Sequence, residues 1–303
     1  MIRRAIPFIA TFAIMAGAGS FSTMILPQEK RLDVPYVKTR YPVVDEMLKL
    51  AAVNEHDVLY DLGCGDGRIV IAAARNYAAR GIGIDIDPDR IAECRKNAAQ
   101  EGVGDRVTFI QGDLFEADFH EATVMALFLL TSVNLRLRPK LLAELRPGSR
   151  IVSHNFMMGT WKPDASSEIE ADELGHTVYM WIVPANISGT WTWTTAHPKA
   201  VWKLTVEQDF QFAVGRIMIN GAEIPLKEIS IRGDRIKVTA GGPGGNPAVS
   251  AVFEGKAFSN SISGKAEVES NGLTRDSDWN PVRNPATGKP LDTESHHGIF
   301  SPN

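Results

Sequence analysis

The feature that most constrains this chain is the run Tyr60-Asp61-Leu62-Gly63-Cys64-Gly65-Asp66-Gly67. An apolar stretch over 58–62 leads into it, and a helical pattern over 69–77 leads out. A strand that turns through glycines into a helix is the opening half of a strand–helix–strand unit. Glycines 63, 65 and 67 let the backbone turn sharply and approach a ligand closely. Dinucleotide enzymes use a related loop, so the glycine spacing alone does not choose the ligand. Asp61 discriminates. A carboxylate two residues before the first glycine would repel a pyrophosphate. It suits a ligand carrying positive charge, as S-adenosylmethionine (SAM) does at its α-ammonium and sulfonium.

The alternation continues downstream. Residues 58–62, 81–84, 107–110, 124–129 and 151–153 read as buried strands, and 69–77, 88–101 and 135–145 as helices. Asp87-Pro88 is a helix start, with Asp as cap and Pro at the first helical position. Arg146-Pro147-Gly148 ends the third helix. Strands alternating with helices predict an α/β fold with a mostly parallel, doubly wound, Rossmann-like sheet. Two more acids follow strands. Asp85 follows 81–84, where a carboxylate can accept both hydroxyls of a ribose, in a nicotinamide site as well as a SAM site. Asp113, in Gln111-Gly112-Asp113, follows 107–110 and can accept an adenine amino group.

On these residues, and through Leu145-Arg146-Pro147-Gly148, the chain resembles the class I SAM-dependent methyltransferases. A narrower resemblance rests on Asp33-Val34-Pro35-Tyr36-Val37-Lys38-Thr39, on 61–71, 111–116 and 134–141, and on Ser153-His154-Asn155-Phe156 with Trp161-Lys162-Pro163-Asp164. These segments look like the small protein-lysine methyltransferases of mitochondria and their bacterial relatives, which modify the ATP synthase c subunit and the adenine nucleotide translocase. The resemblance implies SAM as cofactor and a protein lysine, on a small membrane protein, as acceptor. It implies that Tyr36 and Thr39 cover the cofactor and that Asp61, Gly63, Gly65, Asp85 and Asp113 bind it. Ile86 or Leu114 then rests against the adenine, and Cys64 and Gly67 complete the loop. Three positions depart from the family pattern: Lys38 replaces a Pro, Phe128-Leu129-Leu130-Thr131 replaces Tyr-Leu-Leu-Pro, and Asn155 replaces an Asp. The last two fall on the acceptor side.

A lysine acceptor must be neutral to take a methyl group. Lowering its pKa from about 10.4 to about 7.4 takes near 4 kcal/mol at about 1.4 kcal/mol per unit. An apolar channel beside a cation provides this by desolvation. Phe128, Leu129, Leu130 and Phe156 fit its walls. Asn134 or His154 can orient the amine, and His154 can serve either as a base or as a structural hydrogen bonder. Cys94 reads as core packing, and a Cys64–Cys94 disulfide requires export. The seven histidines show no metal-ligand spacing.

The 303 residues exceed one such domain. All six tryptophans lie beyond residue 160, and the pattern changes near 185. Period-two stretches at Trp191/Trp193, Trp202/Leu204/Val206 and Phe210/Phe212/Val214 begin a series of short strands. They predict an antiparallel barrel or sandwich over 185–270, filled by Trp191, Trp193, Trp202, Phe210 and Phe212. Residues 271–303, with Pro281, Pro285, Pro290 and Pro302, read as a loose tail. The first 28 residues, Arg3-Arg4 and then a charge-free run, read as a signal peptide or a membrane anchor. That predicts membrane association in the cell envelope. A net charge of −4 argues against bulk nucleic-acid binding. Glu168, Glu170, Asp172 and Glu173 form the densest acidic run, either a solvated loop or a lure for a lysine-bearing substrate. Four functions remain open: a protein-amine methyltransferase, a small-molecule or lipid methyltransferase, a nicotinamide oxidoreductase, and a non-enzymatic envelope binding protein.

Overall fold

A computed structural model describes residues 36–242 and 248–292. The N-terminal segment 1–28 and the His296-His297 pair lie outside the described residues. Among the described residues no helix is long and apolar enough to cross a membrane.

The first half is a seven-stranded sheet in the order β3-β2-β1-β4-β5-β7-β6. Its strands are β1 (Val58–Leu62), β2 (Arg80–Asp85), β3 (Val107–Gln111), β4 (Val124–Leu127), β5 (Arg150–His154), β6 (Ala165–Ile169) and β7 (His176–Ile182). β1 to β5 pair in parallel, while β7 is antiparallel to both β5 and β6. The helices are α1 (Tyr41–Leu50), α2 (Arg68–Tyr77), α3 (Pro88–Gln100) and α4 (Thr131–Glu144). Asp87 caps α3 by accepting from the Asp89 N–H at 2.8 Å. Side chains alternate across a strand. Leu59, Val124, Ala126 and Val152 therefore face α1–α3, while Leu62, Met125, Leu127 and Ile151 face α4, Trp161 and Trp181. The order reverses between β1 and β4. In open α/β sheets a ligand crevice lies outside the carboxyl ends of the strands at such a point.

The opposite end of the sheet carries a structural ion pair. Arg150 donates to Asp57 at 2.7 Å and to the Ala51 carbonyl at 3.0 Å, and Thr123 Oγ1 donates to Asp57 at 2.6 Å. Burial pushes the Asp57 carboxyl up, but Arg150 and Thr123 outweigh it and hold it below the usual range. Arg150→Met is expected to cost about 3 kcal/mol at pH 7, because it strands a buried carboxylate. Urea denaturation checks this, and Asp57→Asn added to Arg150→Met should recover part of the loss.

The second half is a ten-stranded antiparallel sheet in the order β11-β10-β9-β8-β17-β15-β14-β13-β12, with β16 on β15. Its strands are β8 (Gly189–Ala196), β9 (Lys199–Asp209), β10 (Phe212–Ile219), β11 (Ala222–Ile224), β12 (Leu226–Arg232), β13 (Arg235–Gly241), β14 (Val249–Phe258), β15 (Ser261–Ser270), β16 (Leu273–Trp279) and β17 (Val282–Arg283). The terminal strands of this order, β11 and β12, are separated only by Pro225, and β12 also approaches β10. The sheet thus rolls toward a barrel. Trp193, Trp202, Phe253 and Trp279 pack in its interior with ring centroids 5.0 to 6.0 Å apart.

Two expectations are corrected here. Phe210 and Phe212 do not fill the barrel. Phe210 occupies the β9–β10 turn with φ +51° and packs into the first half's core, stacked on Trp161 with centroids 5.3 Å apart. Phe212 is opposite Asp209 and 44% exposed, because the two-residue turn shifts the alternation. Nor is the stretch from Asn271 a loose tail as far as it is described. It forms β16 and β17, buries Trp279 completely, and ends on Asp292, which accepts from Arg138 of α4 at 2.7 and 2.8 Å.

Candidate active site

The loop after β1 is tied to β2. The N–H groups of Gly63 and Cys64 both donate to the Ile84 carbonyl, at 2.8 and 3.0 Å, and that of Gly67 to the Cys64 carbonyl at 2.8 Å. Gly65 has φ +56°, and a Cβ there would lie 2.5 Å from the Tyr36 ring, so Tyr36 lies directly over the loop. Gly67, φ +79°, is closed in below by Phe109 and Cys94. Cys64 is buried, its Sγ 3.8 Å from that of Cys94, and both are free thiols. Cys64 therefore serves the loop by size, with its side chain turned into the core.

Asp61 is 3% exposed. Among the described residues no group donates a hydrogen bond to its carboxylate. Burial, with the charges of Asp85 and Asp66, pushes its pKa up to about 8. A buried anion without a partner is costly, and a cation placed beside it removes the cost.

Asp85 ends β2. Its Oδ2 accepts from the Gly65 N–H at 2.9 Å and its Oδ1 from the Asp87 N–H at 3.0 Å, which leaves each oxygen a further lone pair. Asp113 is half-buried two residues past β3 and accepts from the Phe115 N–H at 2.9 Å. Ile86 and Leu114 are half-buried beside these acids. Thr39 is buried, and its carbonyl accepts from Arg68 at 2.7 Å. Lys38 pairs with Asp66 at 3.2 Å, so its departure from a Pro is absorbed by an ion pair at the loop's flank.

Register lines up the rest. Asp61 pairs with Ala126, and Ala126 with Val152. One two-residue step further, on the same face, come Phe128 and His154, whose rings are 4.0 Å apart between centroids. Phe156 is 6.1 Å from Phe128. Leu129 packs toward Gly63, whose Cβ would meet it at 3.2 Å. The acid, the glycine loop and these apolar side chains thus share the switch-point crevice.

Asn134 takes a different position. It is fully buried on α4, and its Nδ2 donates to the Phe156 carbonyl at 3.2 Å, while Ser153 Oγ donates to the same carbonyl at 2.7 Å. Asn134 thus braces the 153–157 turn from the face opposite His154. Asn155 adopts φ +62°, a conformation Asn tolerates, and its Oδ1 accepts from the Thr177 N–H at 2.8 Å. It therefore fastens β5 to β7.

Sequence reasoning missed His176 and Asp172 as neighbours of this site. His154 Nε2 lies 2.8 Å from His176 Nδ1, and His176 Nε2 lies 3.1 Å from Asp172 Oδ1. Asp172 was visible as part of the acidic run, which stops short of His176. Their approach to His154 depends on the β5–β7 pairing, which was not.

The family model of the ANTKMT methyltransferase domain matches residues 61–165. A protein-lysine N-methyltransferase of Saccharolobus islandicus is 45% identical over 50% of this chain and 94% of its own length. The adenine nucleotide translocase lysine N-methyltransferase of Mus musculus is 35% identical over 45% of this chain and 58% of its own length. A solved structure described as an RNA methyltransferase from Salinibacter ruber, in complex with S-adenosyl-L-homocysteine, is 59% identical over 50% of this chain and 96% of its own, with a TM-score of 0.48.

Proposed function

Because the chain belongs to the family of SAM-dependent protein-lysine N-methyltransferases, we propose that it methylates the side-chain amine of a lysine on a protein partner. The observation that carries this reading is Asp61, a buried carboxylate at the switch point with no donor among the described residues. SAM, when bound, supplies an electrophilic methyl group on a sulfonium. Asp61 takes its α-ammonium, Asp85 accepts from the ribose hydroxyls, and Asp113 accepts from the adenine amino group. Ile86 and Leu114 flank the adenine. Gly63, Gly65 and Gly67 allow the backbone to approach, and Tyr36 and Thr39 close the site from the segment before α1.

The acceptor enters beside Phe128, Leu129, Leu130 and Phe156. These apolar walls strip water from the amine and favour its neutral form. Displacement at a methyl group needs in-line geometry, and positioning of this kind is worth roughly 7–11 kcal/mol. Asn134 contributes by holding the 153–157 turn. The named acceptors of the mitochondrial relatives, the adenine nucleotide translocase and the ATP synthase c subunit, support a small membrane protein as the acceptor here. The apolar run within residues 1–28 supports attachment of the enzyme at a membrane of the cell envelope.

Tritiated SAM added to membrane and soluble fractions of the host, with Asp85→Ala as control, tests the reading. Label recovered as methyllysine after hydrolysis of a protein band supports it. Label recovered only in RNA or lipid would overturn the lysine acceptor.

A further inference from the structure

His154 is 2% exposed at the carboxyl end of β5, against the Phe128 ring. With His176 neutral, the hydrogen bonds around it set its tautomer. Asp172, in the turn between β6 and β7, is held by Arg40 at 3.2 Å and by the Leu174 N–H at 2.9 Å. The Leu174 N–H bond, with His176 and Arg40, keeps the Asp172 carboxyl below the usual range. A carboxylate only accepts, so His176 donates through Nε2–H. When His176 is neutral it offers a lone pair at Nδ1, and His154 donates to it through Nε2–H. Nδ1 of His154 is left as a bare acceptor, buried and without a hydrogen-bond partner among the described residues. Burial pushes the His154 imidazole down to about 4, so this lone pair is present at neutral pH.

The groups around it are few. β7 supplies His176, the β6–β7 turn supplies Asp172, and the segment before α1 supplies Arg40, on the far side of Asp172. The loop after β4 supplies the neutral Phe128, and α4 supplies the neutral Asn134 to the adjacent turn. Among the described residues the titratable neighbours that act on His154 are His176 and Asp172.

We propose that His154 Nδ1 is the base that removes the proton from the incoming lysine ammonium, and that His176 and Asp172 are positioning residues that draw the resulting charge away from the reaction centre. This deepens the methyltransferase reading and rests on it. The Nζ–H bond breaks and its proton binds His154 Nδ1, while the Nε2 hydrogen of His154 passes to His176 Nδ1. The positive charge then resides on His176, paired with Asp172. The freed electron pair of Nζ forms the new N–C bond as the C–S bond breaks. After the methylated lysine leaves, the hydrogens run back and His154 Nδ1 releases one proton to water. One proton is thus lost for each methyl group transferred.

The test uses the full chain, His176→Asn, and polylysine as acceptor for tritiated SAM at pH 7 and pH 10. General-base assistance is worth on the order of 100-fold or more. The variant should therefore be about 100-fold slower at pH 7 and only a few-fold slower at pH 10, where solvent deprotonates much of the lysine itself. Its SAM affinity by calorimetry should match that of the unaltered chain. A loss of equal size at both pH values would mark His176 as merely structural and overturn the proposal. Nitrogen-15 spectra of the unaltered chain give a second readout. They should show His154 protonated at Nε2 and bare at Nδ1, and a proton on Nδ1 would overturn the proposal. If the unaltered chain methylates nothing at either pH, the methyltransferase reading itself fails, and the nitrogen spectra still decide the hydrogen-bond chain.

Discussion

Asp61→Asn is expected to weaken SAM binding by roughly 100-fold or more, while making the ligand-free protein more stable at pH 8 to 9. Removing one partner of a buried charge pair costs about 3–5 kcal/mol, and each 1.4 kcal/mol is tenfold in Kd. The gain in stability has the same origin. Asp61 has a pKa of about 8 when folded, against an ordinary 3.8. Between those values the native state holds a proton that the unfolded chain has lost. Stability therefore falls as pH rises through this window, and the penalty is complete above about pH 8. Asn carries no charge, so the variant escapes it. His154 acts in the opposite sense, because its folded value of about 4 lies below the ordinary 6.5. Between these the unfolded chain binds the extra proton, and stability falls on acidification. The two contributions oppose each other from about pH 4 to 6.5. Asp61→Asn should thus expose an acid lability that the unaltered chain lacks. Thermal denaturation across pH 4 to 9 reads both effects, and an unchanged profile in the variant would contradict the burial argument.

Phe210→Ala is expected to destabilise the protein by about 3–5 kcal/mol, the usual range for deleting a buried aromatic. Its ring lies flat against fully buried Trp161, with Arg138 5.2 Å above it. The neighbouring Gln211 accepts from Trp161 Nε1 at 3.0 Å and donates to the Lys162 carbonyl at 2.8 Å. Buried Gln208 braces the same turn by donating to the carbonyls of Phe210 and Ala185, at 2.7 and 2.9 Å. This turn is where the β barrel grips the loop that follows the acceptor side of the sheet. Arg138 donates to the Met158 carbonyl of that loop at 2.8 Å. The variant should therefore also slow methyl transfer while leaving SAM affinity nearly intact. Denaturation followed by tryptophan fluorescence gives the stability. A change below about 1 kcal/mol would show that the stack contributes little beyond ordinary surface packing.

The parallel sheet was legible because its strands are short apolar runs, most of them bounded by glycine, proline or an acid, although β3, read as buried, lies at the sheet edge and buries only Phe109, with Ile110 47% exposed. The positions of Asp61, Asp85 and Asp113 at strand ends were legible for the same reason. What escaped depends on pairing between distant segments. Strand β16 shows no alternation, since only Trp279 at its end is buried and the rest lies at the surface. Phe210 continues the period-two pattern of β9 by sequence, yet its positive φ turns it out of the strand and onto Trp161. His154 was legible as a candidate from its place after an apolar strand. His176 and Asp172 join it only because β7 folds back antiparallel beside β5.

Calorimetric titration of the full chain with SAM, at pH 7 in buffers of different ionisation enthalpy, tests the central claim most directly. Asp61, with a pKa near 8, is mostly protonated at pH 7 in the free protein, and a bound cation should expel that proton. The account predicts tight binding with close to one proton released, an affinity that rises with pH up to about 8, and no proton release by Asp61→Asn. Absence of SAM binding, or binding with no proton release by the unaltered chain, would contradict it.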